Sequence, residues 1–588
     1  MAARNSSARR RSARSQRPSS AGSRNVAIAV FVGAAALICL CAALVSGLEV
    51  FRATVSINLG PTAPAQQQDP RSATLTVAYS PEKAGLMRDL ADRFNAQRLR
   101  TADRQLMQVR LVEMAPDLMV ERALANPEFQ AMAPDSGLWL DQLDRRWLAQ
   151  LQVEAGTIPP SLVGESVRFA VSPVVIAMWE DVARGLGWPE QPIGWQTIQQ
   201  RAAADVNFRW SHPSTSQASG LLATLAEFYA GAGKTRGLTV EDVTAPSTLE
   251  YVTAIERTVR FYGEGEAAIM ERLRNERSRF LDAFVVQEHL VVAYNRALAA
   301  GRNRLVAVYP AEGTLWADHP LALLELPTLT DNQRRTFAAF RDYVLSPEAQ
   351  RLVLEAGFRP ADLSLSLEGS AISPQYGADP AQPQTTLQIP GPAVVEVVQN
   401  AWQYTKRKTN IFLVVDTSGS MEGEKLEAAR AALRDFLSQI KNDEERVGLV
   451  EFASAVHHVE ELAPLGENRS RLEAAIEAMY ASGSTALLDG VQTAYRRLQR
   501  LGDAERINAI VVMTDGRENS STVSLARLVR EIEQGNQTGV PVVIFAVAFG
   551  EDADYQVLRA IAEASGGQVR TGDLETIRQL YRLLSTYF

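Results

Sequence analysis

The sequence predicts an α/β protein, with two folded modules behind an apolar segment long enough to anchor it in a membrane. Three observations carry this expectation. From Ile411 onward, apolar β-branched runs alternate with amphipathic runs, the pattern of a doubly wound, mostly parallel sheet. A separate β-α-β pattern opens at Leu75, and residues 364–392, where Ser, Gln, Pro, Ala and Gly replace periodic hydrophobics, divide the two. Val26 to Leu48 carries no charge and, at about 1.5 Å per residue, spans roughly 34 Å as a helix, enough for a bilayer core. A length of 588 residues exceeds what one hydrophobic core supports, and 46% apolar with 22% charged residues excludes a wholly disordered chain.

Residues 1–25 hold seven arginines and no acidic residue, so they form a basic, disordered tail. Arginines on the amino side of the 26–48 helix keep that end cytoplasmic and place the rest of the chain outside the membrane, extracellular or periplasmic. A cleaved signal peptide is the alternative, since Val45-Ser46-Gly47 offers small residues, although the apolar run is longer than a usual signal core. Cys39 and Cys41 lie inside this segment; Ile38 and Leu40 before them are too bulky for lipoprotein processing, and no cysteine beyond remains to form a disulfide. The formal charge of −8 includes the tail, so the exported part is still more acidic, which argues against nucleic acid as a partner. Residues 49–72, rich in Pro, Gln and Ala, read as a stalk.

In residues 73–363, Leu75–Ser80 reads as a strand. Ala84–Gln97 reads as a helix with Leu86, Leu90 and Phe94 on one face, and Met107–Val112 as a second strand. This opening, with Phe340-Arg341-Asp342-Tyr343-Val344-Leu345-Ser346-Pro347-Glu348-Ala349-Gln350 and Ala356-Gly357-Phe358-Arg359-Pro360, resembles the extracellular solute-binding proteins of ABC importers. The resemblance implies two α/β lobes closing on a small ligand. Candidate ligand contacts at strand ends are Ser80, Ser136 and Ser172, the last in a run that crosses between lobes. Ser214, Thr215, Ser216 and Ser219 precede a helical run, where hydroxyls and free N–H groups suit an anion or serve as an ordinary N-cap. Tyr309–Gly313 resembles the late cleft loop of that family, with Glu312 unfavourable to an anionic ligand. Trp139, Trp179, Trp188, Trp195, Trp210 and Trp316 suit cores and lobe interfaces better than sugar stacking.

Residues 364–392 are expected to be the interdomain linker. In residues 393–588, an apolar helical face on Val394, Val395, Val397, Val398, Ala401 and Trp402 is expected to pack onto the domain that follows. Strands are expected at Ile411–Val415, Val447–Phe452, Asn508–Thr514 and Val540–Ala546, with an antiparallel edge strand at Val456–Glu461. Helices are expected at Lys425–Ile440, Arg471–Tyr480, Leu487–Leu501, Ser524–Gln534, Tyr555–Ala564 and Leu574–Tyr587. Lys425 and Arg434 read as solvated, and His457 and His458 as edge residues pointing to opposite faces.

The stretch Asp416-Thr417-Ser418-Gly419-Ser420 follows the first of these strands. Alternate spacing lets one carboxylate and two hydroxyls converge, a donor set for Mg²⁺, Mn²⁺ or Ca²⁺, although an Asx-turn capping the next helix uses the same residues. With Gly483-Ser484-Thr485 and Thr514-Asp515-Gly516 it resembles the metal-ion-dependent adhesion site of the von Willebrand factor type A domain. That resemblance implies that Asp416, Ser418, Ser420, Thr485 and Asp515 surround a metal ion, and that the ion recruits an Asp or Glu carboxylate from a partner protein. No G-x-S-x-G motif, P-loop or cysteine nucleophile is present, so a non-catalytic cell-surface binding protein is expected. The alternative is the substrate-binding component of an ABC-type uptake system.

Overall fold

The computed structural model describes residues 71–151, 160–263, 265–276, 280–299, 302–362, 364–550 and 552–573. The expected basic tail, the 26–48 anchor, almost all of the stalk and the last helix (574–587) lie outside the described residues. Among the described residues no helix is long and apolar enough to cross a membrane.

The chain first builds β1 (Thr74–Tyr79), β2 (Gln108–Glu113), β3 (Ala131–Ala133) and β4 (Val163–Arg168). After Phe169 it enters a second lobe with the long β5 (Ala170–Trp179), followed by β6 (Trp210–Pro213), β7 (Tyr262–Gly263), β8 (Ala283–Gln287), β9 (Leu305–Val308) and β10 (Trp316–Ala317). It then returns through β11 (Pro320–Leu324) to the first lobe and through β12 (Arg359–Pro360) to the edge of β5. The first sheet runs β2-β1-β3-β11-β4, with β1 parallel to both neighbours and β11 antiparallel to β3 and β4. In the second, β10-β5-β8-β6-β7 form the main path, with β9 and β12 also paired to β5. The expected crossing strand is therefore β5, and the expected helix after β1 spans Ala84–Ala96 with Leu86, Leu90 and Phe94 buried.

The third sheet comprises β13 (Thr409–Asp416), β14 (Arg446–Phe452), β15 (Val456–Pro464), β16 (Ile507–Thr514), β17 (Val542–Phe549) and β18 (Val569–Gly572). Their order is β15-β14-β13-β16-β17-β18, with every pairing parallel except β14 with β15. β13 and β16 are buried along their whole length, as strands covered by helices on both faces must be. The expected edge strand is β15.

Two expectations fail at the junction. Residues 364–392 are no free linker: Ile372, Ala378 and Leu387 are buried, Ala307 N–H donates to Gly377 O, and Leu387 N–H donates to Thr314 O. Polar, Pro-rich composition marks a segment without periodic structure, which here wraps the second lobe. The helix Pro392–Thr405 packs mainly on second-lobe helices Ala218–Gly231, Val240–Thr244 and Pro246–Glu256, not chiefly on the domain that follows. Trp402 explains this, because its indole donates to the buried Glu256 and its ring meets Tyr262 edge-on at 5.1 Å. Immediately after it, Arg407 donates to Val259 O on one side and to Ala504 O on the other, so the apolar core runs without a break from the second lobe into the third sheet.

Candidate metal centre and the interlobe seam

β13 and β16 are neighbours, so their carboxyl ends deliver Asp416 and Asp515 to the same rim of the sheet. Both side chains are inaccessible to solvent. Asp416 Oδ1 accepts from Ser418 N–H at 2.7 Å, and Oδ2 accepts from the Thr514 hydroxyl. Ser418 and Ser420 hydroxyls lie 3.0 Å apart, and Ser420 donates to Asp515 Oδ1 at 2.7 Å. An Asx-turn is therefore present within the cluster, but it does not cap the next helix, which starts at Glu424 after Gly423 with no side-chain cap.

Thr485 arrives on the loop before the helix Leu487–Leu501. Gly483 turns that loop at φ +77°, where a Cβ would also meet Ser454 Oγ at 2.4 Å, and its carbonyl accepts from Gly419 N–H at 3.0 Å. A Cβ on Gly516 would lie 2.8 Å from Thr485 Oγ1 and 3.4 Å from Ser420 Oγ, so a glycine there leaves these hydroxyls facing a shared space. The structure thus brings together all of Asp416, Ser418, Ser420, Thr485 and Asp515.

Burial pushes the Asp416 carboxyl up to about 6 against the hydrogen bonds from Thr514 and Ser418 that favour its anion. A desolvated carboxylate pair facing hydroxyls, with oxygen as the only donor type, fits a hard divalent ion. Sequence reasoning missed three contributors. Lys425, expected in solvent, places Nζ 2.5 Å from Asp515 Oδ2. Thr514 orients Asp416, and Asn519 Oδ1 accepts from Thr485 N–H at 2.9 Å. Only the Thr514 position, at the end of a buried strand beside Asp515, carried a signal. His457 and His458 do point apart: His457 Nε2 lies 2.8 Å from Thr417 Oγ1, and His458 lies by Glu451 and Glu460.

Between the lobes the polar groups face each other. Ser80 donates to Glu82 at 2.7 Å, and the fully buried Lys83 donates to Pro134 O at 2.6 Å beside His319 Nδ1 at 3.0 Å. From the other lobe, Gln287 Oε1 lies 2.6 Å from His319 Nε2, while Gln287 donates through its backbone and side chain to Glu266. Ser172 Oγ accepts from His289 N–H at 3.2 Å, and Ser136 and Ser219 are buried. Burial lowers Lys83 against the pull of Glu82 and Asp135, depresses His289 to about 3, and raises Glu266 well above the carboxylate range.

The remaining candidates part from this seam. Ser214 and Ser216 hydroxyls bond each other at 2.6 Å, and no side chain caps the helix, which starts at Ala218 and so contains Ser219. Thr215 and Ser216 line a cavity of about 530 Å³ with Trp139, Gln399 and Tyr404. Glu312 accepts from Trp195 N–H at the start of a helix instead of facing a ligand. Trp139, Trp179, Trp195 and Trp210 are buried, as core residues.

Residues 75–359 match the family model for a bacterial extracellular solute-binding protein, and residues 410–582 match that for the von Willebrand factor type A domain. The chain joins a solute-binding domain to a type A domain. Inter-alpha-trypsin inhibitor heavy chain H4 of Sus scrofa is 25% identical over 261 residues, covering 42% of this chain and 26% of that protein. The chain thus spans about a quarter of that relative's length. An uncharacterized protein of Mycobacterium tuberculosis is 23% identical over 595 residues, covering 94% of this chain and 82% of its own. Among solved structures, a von Willebrand factor type A protein from Catenulispora acidiphila is similar at 23% identity and TM-score 0.27, covering 31% of this chain and 42% of that one. In the type A domain the oxygen cluster occupies the carboxyl ends of β13 and β16, and the helix Leu487–Leu501 opens beside it.

Proposed function

We propose that this is a non-catalytic, membrane-anchored binding protein that captures a partner protein through a divalent ion on its type A domain. One observation carries the proposal: five oxygen-bearing side chains from three separate stretches converge on the sheet rim around two solvent-inaccessible carboxylates. Asp416, Ser418, Ser420, Thr485 and Asp515 would hold Mg²⁺, with Mn²⁺ and Ca²⁺ as alternatives. When bound, the ion supplies an electrophilic position for an Asp or Glu carboxylate of the partner. The residues do the remainder: Thr514 and the Ser418 N–H fix the Asp416 carboxylate, and Gly483 and Gly516 hold the hydroxyl loops close. The 26–48 segment supplies the anchor, which places both domains beyond the membrane, extracellular or periplasmic.

The solute-binding domain acts in this proposal as a rigid presenting scaffold. Its support is the seam, where His319 meets Lys83 of the first lobe on one ring nitrogen and Gln287 of the second on the other. Delivery of a solute to an ABC permease is the second function, favoured by the family match over residues 75–359. Thr215 and Ser216 are the candidate solute contacts that line a cavity, faced from the first lobe by Glu121 and Trp139.

Titration calorimetry of the full chain with Mg²⁺ tests the metal-dependent function. Asp416→Ala is expected to abolish binding and leave far-UV circular dichroism unchanged, because the remaining hydroxyls and Asp515 offer too little charge to offset dehydration of the ion. In EDTA the variant should melt at the same temperature as wild type or higher, since a desolvated anion has been removed. Equal Mg²⁺ affinity in the two proteins would sink the proposal.

A further inference from the structure

A second cluster lies inside the solute-binding domain, away from both sites above. His212 lies on β6, Glu227 sits in the helix Ala218–Gly231, and Glu256 ends the helix Pro246–Glu256. All three are fully buried, and one donor atom from each lies within 4.8 Å of the other two. Neither oxygen of Glu227 has a hydrogen-bond partner, which is costly for a carboxyl group without solvent.

The surrounding contacts prepare the other two residues. His212 Nδ1 lies 2.7 Å from Pro213 O, an acceptor only, so the ring proton belongs on Nδ1 and the Nε2 lone pair faces inward. Facing it at 3.3 Å is Glu256 Oε2, a second acceptor. Two acceptors hold that separation only with a cation or a proton between them. Glu256 is held by Tyr262 O–H on Oε2 and Trp402 Nε1–H on Oε1, each at 2.7 Å. A ligating imidazole characteristically passes its other N–H to a carbonyl, and ligating carboxylates are themselves hydrogen-bonded, as here.

We propose that His212 Nε2, Glu227 and Glu256 form a structural site for a divalent transition-metal ion, Zn²⁺ by its donor set. Imidazole nitrogen and carboxylate oxygen are both donor types that zinc takes, and the two negative charges balance the ion. The nitrogen donor separates this site from the all-oxygen rim, so the two should differ in metal preference: Zn²⁺ or Co²⁺ here, Mg²⁺ there. Its position gives it a role. The ion would tie β6 to two helices and, through Glu256 and Trp402, to the helix Pro392–Thr405 that leads into the type A domain.

The test uses the full chain, stripped with EDTA, reloaded with Zn²⁺ and dialysed. Wild type and Asp416→Ala should both retain one equivalent of zinc by elemental analysis and melt at a higher temperature with zinc. Co²⁺ in its place should give visible absorption bands of a nitrogen- and oxygen-ligated ion. Glu227→Gln keeps the shape but loses the charge, and should lower zinc affinity by at least about a hundredfold, the upper range for loss of a merely orienting partner. His212→Gln should abolish the cobalt bands, which guards against misfolding of one variant. Absence of retained zinc in wild type would overturn the proposal. So would unchanged zinc affinity in Glu227→Gln, which would mark Glu227 as a buried carboxylic acid.

Discussion

At the rim of the third sheet, Asp416 and Asp515 face hydroxyls and a lysine whose side chain is 35% exposed. Between the lobes of the solute-binding domain, Glu82, Asp135 and Glu266 are enclosed with Lys83, His289, His319 and Gln287. Both regions gather buried carboxylates at the ends of strands. The rim leaves its negative field directed at a shared open space, and the seam neutralises its field internally. A site of the first kind gains from an added cation, whereas one of the second kind holds the fold together and loses stability when any member is removed.

The largest effect should therefore come from the seam. Lys83→Met keeps the aliphatic stem but removes the ammonium that lies 3.4 Å from Glu82 and bonds Pro134 O. Breaking a buried charged network by deleting one partner costs on the order of 3–5 kcal/mol. Thermal melting should show the first lobe, which has its own core, unfolding well before the rest of the chain, while Mg²⁺ binding at the rim persists. If Lys83→Met melts with wild type, the seam is not what holds the lobes together.

The same comparison explains what could be read from the sequence. The rim was legible because Asp416, Ser418 and Ser420 sit within five residues after an unmistakable buried strand, and parallel pairing of β13 with β16 brings Asp515 to them. Seam residues come from positions as distant as Lys83 and His319, joined only by the path of β11 back to the first lobe. No local pattern marks such partners. Lys425 was misjudged for a related reason: its place on a helix beside apolar positions says nothing about Asp515, ninety residues onward in sequence. The wrap of residues 364–392 was lost because composition reports absence of periodicity and not absence of packing.

A smaller, pH-dependent effect follows from Asp135. Burial first, then the nearby Glu82, push its carboxyl up to about 7, against Lys83 and the Trp139 indole that favour the anion. The unfolded chain releases this proton near pH 4, so between about pH 4 and 7 the folded state binds the extra proton. Its stability contribution is present at low pH and is lost as pH rises through 7. Asp135→Asn accepts the same Trp139 N–H and carries no proton to lose, leaving Glu82 to pair with Lys83. Relative to wild type it should gain roughly 1–3 kcal/mol on going from pH 5 to pH 8. Melting temperatures measured at the two values decide this, and parallel pH profiles would show that Asp135 is ionised throughout.

The smallest effect belongs to the rim, and it probes whether that field is truly open. Lys425 Nζ at 2.5 Å from Asp515 Oδ2 is a tethered cation beside the proposed ligand set. A divalent ion must share Asp515 with this ammonium or displace it, so the pair opposes metal binding by whatever it contributes itself. Because the lysine is partly exposed, that contribution is about 0.3–1 kcal/mol. Lys425→Met retains the stem against the helix and removes the competitor, so Mg²⁺ affinity should rise roughly two- to fivefold by calorimetry. Lys425→Arg, which keeps the charge, should stay near wild type. Raising the salt concentration should narrow the gap between Lys425→Met and wild type, as screening weakens the exposed end of the pair. A fall in affinity on removing Lys425 would mean that the ammonium supports the site, placing the rim alongside the seam as a field balanced by the protein's own charges.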